Sequence, residues 1–421
     1  GAGMRFGWGT VARLCLVHAA IGGLSALPLF LFNRLMTVEL ALPALLHGLL
    51  VAMHYGVQLT RPVWGHRSDV KGGRTPFILG GMAVVGAGVL GAAWGVGVAE
   101  ASAPMALLIW ALSYIAIGLG IGAAGTSFLA LLASASGPRK GGVATLAWLF
   151  LIAGAIAASV GTGIALEPYS PERLLTVITV VVSIAFVICV LATWAVERRV
   201  PVAPANDDVP MMAALRSTWA DPVARRFTGF VFLSILAFFL SELILEPFAG
   251  HIHGLGPEDS TKLSGGKDGA ALMGMIGAGV LSHFGRGSLR FWAVAGCVLS
   301  ALGLLALATG LPLVPATVVL GFGNGLFVVG AVGSMMQLAA AHARETGMRM
   351  GVFGAAQAVA AGLAGLLATG MLDLTRLVMS DAAAYGTVFT LEAVLFLAAA
   401  LMAARVMRAA ETYDANLVPG E

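Results

Sequence analysis

Seven polar side chains sit inside otherwise apolar runs: His18, His47, His54, Gln58, His283, Gln337 and Gln357. At membrane depth such groups are expensive, so each is a functional candidate. Imidazole and carboxamide groups hydrogen-bond well, and a neutral imidazole is a good axial ligand for a metal. His54 and Gln58 are four residues apart and share a helix face. His47 lies seven residues before His54, and Arg61 seven after it, so one stripe is polar along its length. A polar stripe cannot face lipid and must face protein or a cavity. Two uses remain open for it: hydrogen bonding between helices, or holding a ligand.

Helices must position these residues, and the composition places the helices in a bilayer. The 421-residue chain is 59% hydrophobic and 11% charged, with mean hydropathy +0.93. A soluble domain carries about 25% charged residues. The 56 glycines suit membrane helices, whose backbones approach closely at small residues. A span needs roughly 20 apolar residues. The sequence supplies such runs at 11–32, 43–63, 76–98, 104–132, 143–166, 174–196, 227–249, 268–284, 289–309, 312–340, 348–371 and 384–407, of which the eighth is short and Gly-rich. With the N-terminus inside, 19 of the 24 Lys and Arg fall on inside segments, and Arg34, Arg173, Lys262, Lys267 and Arg376 fall outside. The positive-inside rule then orients the chain. The expected fold is an all-α integral membrane protein of twelve transmembrane helices in two six-helix halves, with both termini cytoplasmic.

The expected organisation has five parts. An N-terminal cytoplasmic segment covers 1–10, where Gly1-Ala2-Gly3 ahead of Met4 reads as a vector-derived addition. The first half is 11–196, a cytoplasmic linker is 197–226 with a short surface helix at 209–219, the second half is 227–407 and a cytoplasmic tail is 408–421. The first apolar run is long enough to stay as an anchor. Cys15, Cys189 and Cys297 sit singly in apolar runs and read as small buried hydrophobes.

A second constellation follows the second span, at Gly65-His66-Arg67-Ser68-Asp69-Val70-Lys71-Gly72-Gly73-Arg74. It resembles the G-x-x-x-D-x-x-G-R signature of the major facilitator superfamily. Gly65 suits a helix break, and Asp69 can meet a helix N-terminus or an Arg. Asp69 and Arg74 would latch the two halves in one state. The matching loop of the second half, Ser282-His283-Phe284-Gly285-Arg286-Gly287, lacks the Asp. Arg34, Glu39, Glu242 and Glu246 lie near the outer ends of spans one and seven. Arg34 with Glu246 or Glu242 would form an outer gate; interface charges facing headgroups are the other reading.

Further segments carry a more specific resemblance. Asn33-Arg34-Leu35-Met36-Thr37-Val38-Glu39-Leu40, Ala52-Met53-His54-Tyr55, Gly65 to Asp69 and Arg74-Thr75-Pro76 are similar to the PucC-type family, a branch of the major facilitator superfamily in photosynthetic bacteria. So are Leu245-Glu246-Pro247-Phe248-Ala249-Gly250, Gly323-Asn324-Gly325-Leu326-Phe327 and Gly354-Ala355-Ala356-Gln357. The resemblance implies a photosynthetic-membrane assembly factor that binds bacteriochlorophyll and delivers it to light-harvesting antenna polypeptides, alongside membrane lipid or pigment-synthesis enzymes. It places the chain in a bacterial intracytoplasmic photosynthetic membrane. The pigment's Mg needs one axial ligand. His54 is the expected metal ligand, with Gln58, His47, His18, Gln337 and Gln357 as further pigment contacts.

An enzyme is not expected. Gly120-Ile121-Gly122-Ala123-Ala124-Gly125 fits G-x-G-x-x-G but lies inside a span with no preceding strand. Gly265-Gly266-Lys267-Asp268 lacks the spacing of a phosphate-binding loop, and the D-x-x-x-D pairs of an intramembrane prenyltransferase are absent. The alternative function is an ion-coupled small-molecule transporter of the same fold. That would need a membrane-embedded carboxylate, for which Glu242 is the candidate; Glu392 is the other acid well inside a span.

Overall fold

The computed structural model describes residues 6–71, 73–199, 209–255 and 257–416, and every regular element among them is helical. Gly72 and linker residues 200–208, with Pro201, Pro204, Asn206, Asp207 and Asp208, lie outside the described residues. The first helix, α1 (Trp8–Ala26), continues through two wide π turns, Leu27–Leu31 and Leu35–Glu39. Pro28 lacks an N–H and crowds the preceding turn, and the helix widens there instead of breaking. Then come α2 (Ala44–Gly56), a 3-10 turn (Val57–Thr60) and α3 (Arg61–Val70). They are followed by α4 (Thr75–Ala99), α5 (Ala103–Ala135), α6 (Lys140–Ala165) and α7 (Pro171–Thr193). The expected linker helix is present as α8 (Met211–Ala220). The later helices are α9 (Pro222–His253), α10 (Pro257–His283), α11 (Leu289–Ala308), α12 (Leu313–Ala340), α13 (Thr346–Val378) and α14 (Asp381–Asn416).

Local signals set several of these starts. Ser102, Ser170 and Asp221 each accept a hydrogen bond from the first turn of α5, α7 and α9, with a proline at the first or second helical position. Gly254 closes α9 in the left-handed conformation, φ 65°.

Ten helices among the described residues are long and apolar enough to cross a membrane. The chain is a multi-pass membrane protein. Two of the twelve expected spans differ from the other ten. The second is divided between α2 and α3 by the 3-10 turn, where Pro62 removes a donor and Gln58 and Arg61 make the run polar. The eighth, α10, is continuous, but its first half carries Glu258, Asp259, Lys262, Lys267 and Asp268.

The contacts divide the chain into two compact units. Unit one is 1–138, 146–217 and 342–358; unit two is 139–145, 218–341 and 359–421. The opening turns of α13 therefore belong to unit one, although they fall in the second half of the sequence.

Backbone contact at glycines builds each unit. In unit one, a Cβ added to Gly120 of α5 would lie 2.4 Å from the Gly81 carbonyl oxygen of α4. In unit two, a Cβ on Gly296 of α11 would lie 2.3 Å from the Phe327 nitrogen of α12. Lipid tails are as apolar as leucine, so helix association in a bilayer relies on this close packing. The outward face of α7 presents Val180, Ile184, Val187 and Leu191 at helical spacing, all exposed. In water such a stripe would aggregate; in a bilayer it is the solvated face.

The crossing of α1 and α6 is a sharp test of this packing. A Cβ on Gly154 would lie 1.9 Å from the Ala19 carbonyl oxygen, and one on Gly22 would lie 2.1 Å from that of Leu151. Gly154→Val is expected to destabilise unit one by at least about 1–3 kcal/mol, the usual cost of overpacking. Thermal unfolding of the purified protein in detergent, beside Gly161→Val where a Cβ meets open space, measures it.

Candidate functional site

Unit one holds two adjoining polar clusters. The first is built on α3. Gly65 lies inside that helix rather than at a break. Its missing side chain serves packing: a Cβ would lie 1.9 Å from the Gly347 carbonyl oxygen. The expected helix break is thus corrected to a point of backbone contact.

That contact brings Asp69 onto the N-terminus of α13. Its Oδ1 accepts from the Gly347 amide at 2.8 Å and its Oδ2 from the Met348 amide at 2.9 Å. Arg74 Nη2 donates to Oδ1 at 2.9 Å, and Arg74 Nη1 donates to Ser68 Oγ at 2.6 Å. Both Asp69 and Arg74 are buried. Burial pushes the Asp69 carboxyl above the usual range, while Arg74 and the two amides pull against that rise. Glu197 completes the cluster by accepting from the amides of Arg74 and Thr75 and from the Thr75 hydroxyl. Sequence reasoning found Asp69, Gly65 and Arg74. It missed the roles of Glu197 and Gly347, because neither stands in the local motif. In unit two the loop Ser282 to Gly287 has no acid; Ser282 Oγ instead accepts from Trp292 Nε1 at 2.8 Å.

The second cluster is the polar stripe of α2 and α3. His47 Nε2 donates to the Pro28 carbonyl at 2.8 Å, and the Tyr114 hydroxyl donates to the same oxygen at 2.7 Å. His18 Nδ1 donates to the Ala147 carbonyl at 2.7 Å, with its ring between Phe128 and Trp148. Donation from Nδ1 leaves a lone pair on Nε2, the arrangement usual in metal-ligating histidines. His54 bonds to no carbonyl among the described residues. Its Nε2 is 3.4 Å from Gln58 Nε2, and its Nδ1 is buried with no partner among the described residues. Arg61 donates from Nη1 to the Gly354 carbonyl at 3.4 Å, and its buried Nε has no partner among the described residues. The charge of Arg61 reaches both His18 and His54. The structure thus joins His54 and Gln58, with Arg61 close enough to act electrostatically on His54 and on His18, while His18 is held by Ala147 and His47 by Pro28.

The remaining candidates lie elsewhere. Gln357 is half-buried on α13 in unit one, and Gln337 is half-buried on α12 in unit two. Arg34 is exposed, and the side chain of Glu246 lies outside the described residues. Glu242 pairs with Lys267 inside unit two. Glu392 is fully buried, and neither carboxyl oxygen has a partner among the described residues.

No group of three or more His, Cys, Asp or Glu could hold a bare metal ion among the described residues. A magnesium tetrapyrrole needs one ligand from the protein, and this donor set fits that need. His54 has one partnerless ring nitrogen and another only weakly engaged, and His18 is oriented by its carbonyl.

The PUCC protein family model matches residues 31–411. The chain belongs to this family. It is 49% identical over 417 residues to the bacteriochlorophyll synthase 44.5 kDa chain of Rhodobacter capsulatus, covering 96% of this chain and 97% of that one. It is 29% identical to Protein PucC of Cereibacter sphaeroides, covering 90% and 88%. The fold is that of the major facilitator superfamily. The E. coli fucose:proton symporter FucP superposes with TM-score 0.70 at 16% identity, covering 94% of this chain and 98% of that one. A bacterial homologue of the iron transporter ferroportin gives 0.69 at 16% identity, covering 96% and 99%. The name of the 49%-identical relative connects that protein with bacteriochlorophyll.

Truncating Asp69 leaves Arg74 buried without its acid. Asp69→Ala is expected to cost about 3–5 kcal/mol, the range for breaking a buried pair from one side. A double-mutant cycle with Arg74→Ala, read by unfolding in detergent, should be strongly non-additive.

Proposed function

We propose that this PUCC-family protein is a non-enzymatic assembly factor. It binds bacteriochlorophyll within the membrane and delivers it to light-harvesting polypeptides. The observation that carries the reading is the buried group of His54, Gln58 and Arg61 in unit one of a membrane-spanning chain, with His18 buried within electrostatic reach of Arg61. His54 would hold the pigment's Mg, with His18 as the neighbouring imidazole, and the bound pigment supplies the light-absorbing ring. The family membership and the pigment-related name of a 49%-identical relative support it. An apolar pigment can enter from lipid, which makes a water-filled route unnecessary. The seat of this work is the photosynthetic inner membrane, with both termini cytoplasmic, consistent with the Lys and Arg distribution.

The test is an absorption spectrum of the protein purified in mild detergent from a pigment-producing host. Near-infrared bands in stoichiometric amount are expected, lost or shifted in His54→Leu. Bands unchanged in His54→Leu but lost in His18→Leu would transfer the ligand role to His18. A colourless wild-type protein would count against the reading.

Glu392 favours a second reading, ion-coupled transport. It is a fully buried carboxyl with two partnerless oxygens among the described residues, and Lys267 acts on it electrostatically. Such acids mark proton pathways in membrane proteins. Liposomes containing the protein and a pH-sensitive dye, given pigment outside, measure it. Acidification supported by the wild type and lost in Glu392→Gln is the outcome this reading expects; no acidification with either protein rejects it.

A further inference from the structure

The structure assigns to Arg61, flanked by His54 and Gln58, the binding of an acidic oxygen group, a carboxylate or phosphate, carried by a membrane-soluble amphiphile. Three observations carry this. The first is an uncompensated charge. Arg61 is 9% exposed, and its one hydrogen bond among the described residues is the 3.4 Å contact to the Gly354 carbonyl. The other buried cations with described partners meet acids: Arg74 meets Asp69, Lys267 meets Glu242 and Arg349 meets Glu345. Arg61 meets no carboxylate among the described residues. A guanidinium cannot escape by losing its proton, so the cost of burying it falls on the fold unless an anion offsets it.

The second observation is that the slot is built for this side chain. A Cβ at Gly125 would lie 2.7 Å from Nη2, one at Gly354 would lie 2.8 Å from Nη1, and one at Gly122 would lie 3.3 Å from Cγ. Glycines on two helices thus leave the guanidinium its place. The third is the company it keeps. His54 Nδ1 is buried without a partner among the described residues, and the Gln58 carboxamide makes only 3.4 Å contacts. The cluster is rich in donors and meets no negative charge among the described residues. A neutral headgroup would leave the cation uncompensated. A carboxylate or phosphate presents two oxygens to the forked guanidinium and completes it.

This deepens the pigment reading and rests on it only for the identity of the apolar body. Bacteriochlorophyll itself is esterified and has no free acid, so under that reading the acid belongs to its unesterified precursor, a magnesium tetrapyrrole with a free propionate. The other source of the same chemistry is a phospholipid headgroup.

The experiment uses the full-length protein in dodecyl maltoside, as wild type, Arg61→Gln and Arg61→Lys. The probes are a magnesium chlorin with a free propionate, its methyl ester, and dioleoyl phosphatidic acid. Chlorin binding is followed by fluorescence titration, and phospholipid by phosphorus retained after gel filtration. The wild type is expected to bind the free acid about tenfold or more tighter than the ester, as a charge-assisted pair allows. In Arg61→Gln the preference for the acid over the ester is lost; Arg61→Lys keeps part of the preference. If the acid comes from lipid, the two chlorins bind alike, and stoichiometric phosphatidic acid stays with wild type and leaves Arg61→Gln. Equal chlorin affinities with no retained phospholipid in the wild type overturn the assignment, and this comparison needs no variant to fold. If neither chlorin binds the wild type, the pigment reading fails while the phospholipid arm still decides the role of Arg61.

Discussion

The polar architecture of unit one depends on the backbone contact between Gly65 and Gly347. Any side chain at Gly65 would strike a carbonyl, so only glycine lets α3 lie against the first turn of α13. At that distance Asp69 reaches two amides that no helical carbonyl can satisfy. The same carboxylate takes up the buried charge of Arg74, and Glu197 caps α4 beside it. Burying a carboxylate is costly. Here the charge is offset by a guanidinium and two amides at a helix N-terminus, where the dipole also favours an anion.

The consequences extend along α13. Gly347, Gly351 and Gly354 recur at helical spacing and meet α3 in turn: Gly65, then the Arg61 and Pro62 backbone, then the Arg61 guanidinium. The capped helix end and the buried cation are therefore two parts of one helix crossing. A change that loosened Gly65 from Gly347 would also shift the walls around Arg61, and through Arg61 the electrostatic setting of His18 and His54.

Unit two handles its polar groups differently. Lys267 and Glu242 neutralise each other, and Ser300 donates to Asn324 at 2.9 Å between α11 and α12. Only Glu392 is left as a fully buried acid without a hydrogen-bond partner among the described residues. The hydrophobic effect cannot drive helix association in lipid, so both units are held by close backbone packing at small residues and by a few such bonds. That makes the position of each glycine a stronger constraint than the identity of most apolar side chains.

The sequence by itself determined the membrane class, the presence of most of the long apolar helices and the family. Run length and charge distribution are local, and capping residues such as Ser170 and Asp221 act on their own helix. It also marked His54, Gln58 and Arg61 as polar groups in an apolar run, and Asp69 and Arg74 through the signature that follows it. Tertiary structure decided what each of them meets. Gly65 looked like a helix break until Gly347 was found against it, and no local pattern could link positions so far apart in the chain. Glu197 looked like the start of a linker and proved to be a helix cap. The stripe His47, His54, Gln58 and Arg61 was legible as one face. That His47 is held by Pro28, while Arg61 meets no described acid, depends on which backbone carbonyls and carboxylates neighbouring helices bring within hydrogen-bond reach, and side-chain spacing along one helix carries no record of that.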